Sequence, residues 1–117
     1  MLEVVDDEAL GIVRLNFIGE INEGDHGESM PKLHRIVNAK KRLRLLCDWS
    51  GLSGWSRNAE SEIFWICMEY RAQIERVAIV GGEKWRHKVA EIGSIMDGEV
   101  RLYDVREASS AVDWLRE

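Results

Sequence analysis

Proline is nearly missing from this chain: one occurs in 117 residues, beside ten glycines. With 45% hydrophobic and 32% charged residues, that excludes a disordered or collagen-like polymer and leaves an ordinary globular balance. Cysteine is scarce. Cys47 and Cys67 each sit in an apolar run, Leu45-Leu46-Cys47 and Trp65-Ile66-Cys67-Met68, and read as buried free thiols rather than a disulfide framework. The longest unbroken apolar run, Ile63 to Met68, is six residues, far short of the roughly 20 that a membrane span needs. His26, His34 and His87 have no metal-ligand spacing, so neither a metal nor a cofactor is expected. Gly81-Gly82 belongs to no Gly-x-Gly-x-x-Gly or P-loop pattern and reads as a tight strand-to-helix turn. Asp48 has no paired base, and no nucleophile–base pair occurs, which points away from an enzyme. The first residues, Met1 to Asp7, are acidic and lack the basic and apolar regions of a signal peptide, so the expected address is cytoplasmic.

A basic surface is also lacking. The net charge is −5, which disfavours nucleic acid as a partner. The charge is uneven, however. Residues 1–31 carry eight acids and one base, Arg14. Residues 32–46 carry six bases and no acid: Lys32, Arg35, Lys40, Lys41, Arg42 and Arg44. Residues 76–92 are basic again, four against two. The plain reading is a solvated helix face followed by a loop. The sharper one is a patch for an acidic partner or an anionic lipid surface.

What is present is hydrophobic periodicity. Leu2 to Val5 is β-prone, and Val13, Leu15 and Phe17 alternate with Arg14 and Asn16, so the two runs predict a hairpin across the turn residues Asp6-Asp7-Glu8. Asn22 is a good helix cap, but Gly24, Gly27 and Pro31 weaken the turns after it. Propensity alone starts the first helix at Ser29 and runs it to about Lys41. Leu43 to Asp48 predicts a central strand and Ser50 to Gly54 a loop. A second helix, capped by Ser56 or Asn58, runs to about Tyr70. Its residues Ile63, Ile66, Cys67 and Tyr70 share one face, while Phe64, Trp65 and Met68 point elsewhere. Arg76 to Val80 predicts a buried strand and Glu83 to Ser94 a third helix. Val100 to Asp104 predicts a strand and Glu107 to Arg116 a last helix. The order ββαβαβαβα predicts an α/β fold. It is one domain over residues 1–117, with a mixed five-stranded sheet, an N-terminal hairpin, four helices and parallel later strands joined by right-handed crossovers.

This order, with Gly51-Leu-Ser-Gly-Trp-Ser56, Val77-Ala-Ile-Val-Gly-Gly-Glu-Lys-Trp85, Tyr103-Asp104 and Ala111-Val-Asp-Trp-Leu-Arg-Glu117, resembles the SpoIIAA-like family, small bacterial proteins related to STAS domains and to the lipid-binding CRAL-TRIO fold. Pro31 resembles a proline that members carry inside their first helix. The resemblance therefore implies a helix that begins near Asn22. STAS relatives include anti-anti-sigma factors switched by a phosphorylated serine at the start of the second helix. Asp48-Trp49-Ser50-Gly51 is similar to the first part of that segment, but the switch position falls at Arg57 or Asn58, with Ser56 just before it. CRAL-TRIO relatives hold a lipid in an apolar groove under mobile helices.

Five tryptophans in 117 residues is a high count, and tryptophan dominates contact energies. Either these rings fill the core or they line a groove. The groove reading places Trp55, Phe64, Trp65, Met68, Trp85, Val89, Ile92 and Met96 between the second and third helices, with the third as a lid. Lys84, Arg86 and Lys88 would meet an anionic head group or a membrane surface. The expected function is non-enzymatic binding of a small apolar or lipid-like molecule, with peripheral contact to the inner face of the membrane. The alternative is a protein-interaction or regulatory module, docking a partner or a second copy as a homodimer. In a phosphoswitch, Ser50, Ser53 or Ser56 would be modified.

Overall fold

The computed structural model describes all 117 residues. β1 (Leu2–Asp7) and β2 (Ile12–Ile21) form the antiparallel hairpin, in register from Leu2 opposite Phe17 to Asp7 opposite Ile12. β3 (Leu43–Trp55), β4 (Ile74–Val80) and β5 (Glu99–Tyr103) then add in parallel, so the sheet reads β1-β2-β3-β4-β5. Each parallel step moves one place in the same direction. Crossovers of one hand then put their helices on one face. These helices are α1 (Glu23–Lys40), α2 (Arg57–Tyr70) and α3 (Arg86–Ile95). α4 (Ala108–Arg116) comes after the last strand and covers the other face.

The period-2 pattern of the strands divides the core accordingly. Val13, Leu15 and Phe17 of β2, Leu45, Cys47 and Trp49 of β3, and Val77 and Ile79 of β4 face the three helices. Ile12, Leu46, Ala78 and Val80 face α4, where they meet Ala111, Trp114 and Leu115. Two arginines tie α4 down by donating to carbonyls of its last turn: Arg44 to Leu115 at 2.7 Å and Arg76 to Trp114 at 2.6 Å.

Two local expectations are overturned. α1 begins at Glu23, not at Ser29 where propensity starts it, and so agrees with the start near Asn22 that the resemblance implies. Asn22 accepts from the Asp25 N–H at 2.9 Å, and the Asp25 carboxylate accepts from the Asn22 N–H at 2.9 Å, closing a capping box. Ser29 donates from inside the helix to the Leu2 carbonyl at 2.6 Å. These bonds outweigh two glycines, and Pro31 is carried at an exposed position within the helix. The second correction concerns Ser50 to Gly54, which is strand rather than loop. β2 runs on to Ile21, and β3 accompanies it through two register shifts, pairing Ile18 with Gly51 and Ile21 with Trp55. A bulge absorbs an extra residue and re-aims the side chains beyond it.

Candidate functional site

At the carboxyl end of the central strands four aromatic rings lock together. Trp49 and Trp55 of β3 stand 5.2 Å apart at 80°. Trp85 lies 5.6 Å from each of them, and Phe17 of β2 closes the group against Trp49 at 5.9 Å and Trp55 at 6.2 Å. All contacts are edge-to-face, the arrangement that ring quadrupoles favour. Trp85 sits in a 3-10 turn (Glu83–Trp85) that precedes α3, rather than within the helix. Gly81 makes room for it: a Cβ there would lie 2.9 Å from Trp85 Cδ1 and 3.0 Å from Trp49 Cβ.

Most of the residues expected to line a groove lie in or against the core around this cluster. Trp55, Phe64 and Trp85 pack against the core, and Val89, Ile92 and Met96 are buried in it. Lys88 reaches across from α3 and lies 5.5 Å from the centre of the Trp55 ring and 5.1 Å from that of Phe64. The enclosed apolar space lies deeper, between α2 and the sheet. It is lined by Cys47, Trp49, Ile63, Cys67 and Met96 among others and holds about 60 Å³. Ligand pockets are roughly 300–1,000 Å³, several times this volume.

The expected head-group cations already have neighbours of their own. Arg86 forks onto Glu83, and Lys88 is paired with Glu60. Lys84 lies over the Trp85 ring at 5.3 Å. The widest depression, about 930 Å³, opens beside β5 and α3, and its rim charges pair among themselves, Arg86 with Glu83 and Arg106 with Asp104. The Asp104 carboxyl is held below its ordinary range by the Arg106 backbone N–H and then by its guanidinium. Both cysteines are free. Burial pushes the Cys47 thiol far up, with Cys67 and Asp48 nearby adding to it, and pushes Cys67 up to about 11. Such thiols are poor nucleophiles.

Two of the expected groove residues point the other way. Trp65 is 71% exposed and Met68 47% exposed, on the outer side of α2. Helical geometry accounts for this: with Ile63 and Tyr70 turned to the sheet, Trp65 and Met68 fall on the opposite arc. Beside Trp65 an open trough of about 270 Å³ runs between α1 and α2. His26 forms part of it. The ring is buried, and its Nδ1 lies 2.7 Å from Glu62 Oε2, linking the two helices. No sequence pattern pairs His26 with Glu62, since the two lie 36 positions apart. Of the serines considered for modification, Ser56 is the N-cap of α2, accepting from the Ala59 N–H at 3.4 Å, and Ser50 donates to Asp48 at 2.6 Å. No helix is long and apolar enough to cross a membrane.

Residues 12–116 match the family described as SpoIIAA-like. Among solved structures, the fold is similar to that of an uncharacterized protein with a SpoIIAA-like fold from Shewanella loihica PV-4. The TM-score is 0.83 at 20% identity, over 98% of this chain and 92% of that one. It is also similar to the anti-sigma factor antagonist SpoIIAA in its unphosphorylated form, with a TM-score of 0.67 at 17% identity, over 99% of this chain and 96% of that one. Likenesses at these identities speak for the fold alone. No curated protein matches.

Proposed function

The chain belongs to the SpoIIAA-like family, and from this premise we propose that it is a non-catalytic regulatory module that docks a protein partner on the outer face of α2. One observation carries the reading. The most apolar stretch of the chain does not end in the core: Trp65 at 71% and Met68 at 47% exposure stand in water, while only about 60 Å³ of apolar space is enclosed below them. An exposed tryptophan and methionine on one side of a helix favour a docked macromolecule over an enclosed small ligand. The likeness to an anti-sigma factor antagonist agrees, since the partner of such a protein is itself a protein. A lipid-like ligand in the apolar space beneath α2 would require that helix to lift from the sheet, breaking the His26–Glu62 link at 2.7 Å and exposing Ile63 and Tyr70.

The test is site-specific photo-crosslinking in cells. A benzophenone amino acid at position 68 should give one discrete protein adduct, and the same group at Val112 on α4 should give none. If extraction under native conditions instead returns a stoichiometric fatty acid or phospholipid, and position 68 yields no adduct, the docking reading is wrong.

A further inference from the structure

The open sheet has two edges, β1 and β5, and they are finished differently. β1 carries Glu3, Asp6 and Asp7 and no base. α1 ties it down: Ser29 donates to the Leu2 carbonyl at 2.6 Å and Lys40 pairs with Asp6. β5 has neither the lysine nor the proline that blunts an edge. Its Tyr103 carbonyl accepts from the Gly81 and Gly82 N–H groups, on the β4 side. The N–H and C=O of one strand residue share a direction, and that direction alternates along the strand. Val100 and Leu102 therefore aim their N–H and C=O groups away from β4, toward the open edge. Beside that edge lies the depression of about 930 Å³, with Val100 and Leu102 on its strand side and Ala90 and Gly93 on α3. Glycine weakens a helix interior, yet an added Cβ at Gly93 would meet only the Val100 Cβ at 3.9 Å, an ordinary contact. Packing within the chain does not call for glycine there, and its missing side chain keeps the space beside β5 open.

We propose that β5 pairs antiparallel with β5 of a second copy of this chain, joining the two sheets into one. Charge complementarity selects both the occupant and the register. Glu99 and Arg101 are exposed on the same face of β5, where Arg101 lies over the Trp114 ring at 4.4 Å. A two-fold axis through Val100 sets the two Val100 residues opposite each other, exchanging both N–H···O bonds. It also sets Glu99 of each copy opposite Arg101 of the other. Glu99 and Arg101 already meet within one chain at 2.9 Å, so the dimer holds four charges of alternating sign. An axis through Arg101 would oppose two guanidiniums, and one through Leu102 sets no base opposite an acid. β1, with acids and no base, cannot form such pairs. The surplus of acids lies in residues 1–31, in β1, β2 and the start of α1, away from this edge. A pair of five-residue strands buries little surface, so the dimer is weak. It does not depend on the docking proposed for α2.

Sedimentation velocity on the full chain, from about 1 μM to about 1 mM, should show a concentration-dependent equilibrium between monomer and dimer. Glu99→Arg and, separately, Arg101→Glu each oppose like charges and should weaken the dimer about tenfold or more. Mixed in equal amounts, the two single variants again set every acid against a base, and their heterodimer should return to within about threefold of the parent. Val100→Pro removes an outward N–H and leaves the ladder to β4 intact; it should abolish the dimer with the far-ultraviolet circular dichroism unchanged. A monomer at every concentration overturns the proposal. So does a dimer that survives both charge reversals or survives Val100→Pro, and so does a mixture of the two single variants that stays monomeric. A dimer lost in Trp65→Ala but kept in Val100→Pro assigns the contact to α2 and overturns it as well. Should Val100→Pro fail to fold, the mixing experiment decides.

Discussion

Gly81→Ala probes how tightly the aromatic cluster is built. Gly81 comes directly after β4, and its N–H donates to the Tyr103 carbonyl at 3.0 Å. The added methyl would press on Trp85 Cδ1 at 2.9 Å and Trp49 Cβ at 3.0 Å. Neither atom is a free end. Trp49 Cβ is anchored to the backbone of β3, and the Trp85 ring is wedged 5.6 Å from both Trp49 and Trp55. Overpacking of this kind costs about 1–3 kcal/mol. Alanine also restricts the unfolded chain, which offsets about 0.4–1 kcal/mol. The net loss is roughly 1–2 kcal/mol, or roughly 3–8 °C in Tm for a chain of this size. Urea denaturation monitored by far-ultraviolet circular dichroism measures it, and weakened near-ultraviolet bands report the displaced indoles. The decisive control is the same substitution made in Trp85→Ala, where one of the two contacts is gone. There the penalty should fall by half or more. An equal penalty in both backgrounds would show that the indole is not what demands glycine at this position.

Trp65→Ala should change stability by no more than about 0.5 kcal/mol, because its ring is already solvated, whereas Trp49→Ala should cost about 3–5 kcal/mol. A loss above about 1.5 kcal/mol for Trp65→Ala would place its indole in the folding core and remove the basis for docking. The thiols give a pH signature. In the folded chain Cys67 keeps its proton up to about 11, whereas its ordinary value is 9.0. The stabilisation is therefore whole below pH 9 and is lost as pH rises from 9 towards 11, at about 1.4 kcal/mol per pH unit. Denaturant melts between pH 8 and 11 should show a slope shallower by about that amount in Cys67→Ala; an unchanged slope refutes the assignment.

Periodicity makes most of this architecture legible. Val13, Leu15 and Phe17 mark a strand by period 2, and Ile63, Ile66, Cys67 and Tyr70 mark a helix by period 3.6. The strict alternation after the hairpin points to a sheet with parallel later strands, which β2 to β5 form. These are local properties, written in neighbouring side chains. Non-local pairing decides the remainder. Ser50 to Gly54 has loop composition, yet it is strand because β2 lies alongside it to Ile21. Asn22 starts a helix against its glycines because Asp25 completes the capping box and Ser29 reaches β1.

The candidate site divides along the same line. That tryptophan matters is visible in the count; which tryptophan is not. Trp49 stands out in no sequence pattern, yet it is the centre of the aromatic cluster, because only assembly brings β2, β3 and the turn before α3 to one point. Trp65, in the longest apolar run of the chain, ends in water, because one helix cannot turn every apolar residue toward a single sheet. The acidic trough beside it joins residues of α1 and α2 some 36 positions apart. Hydrophobic period decides what each segment becomes, and packing alone decides which of its faces remains uncovered.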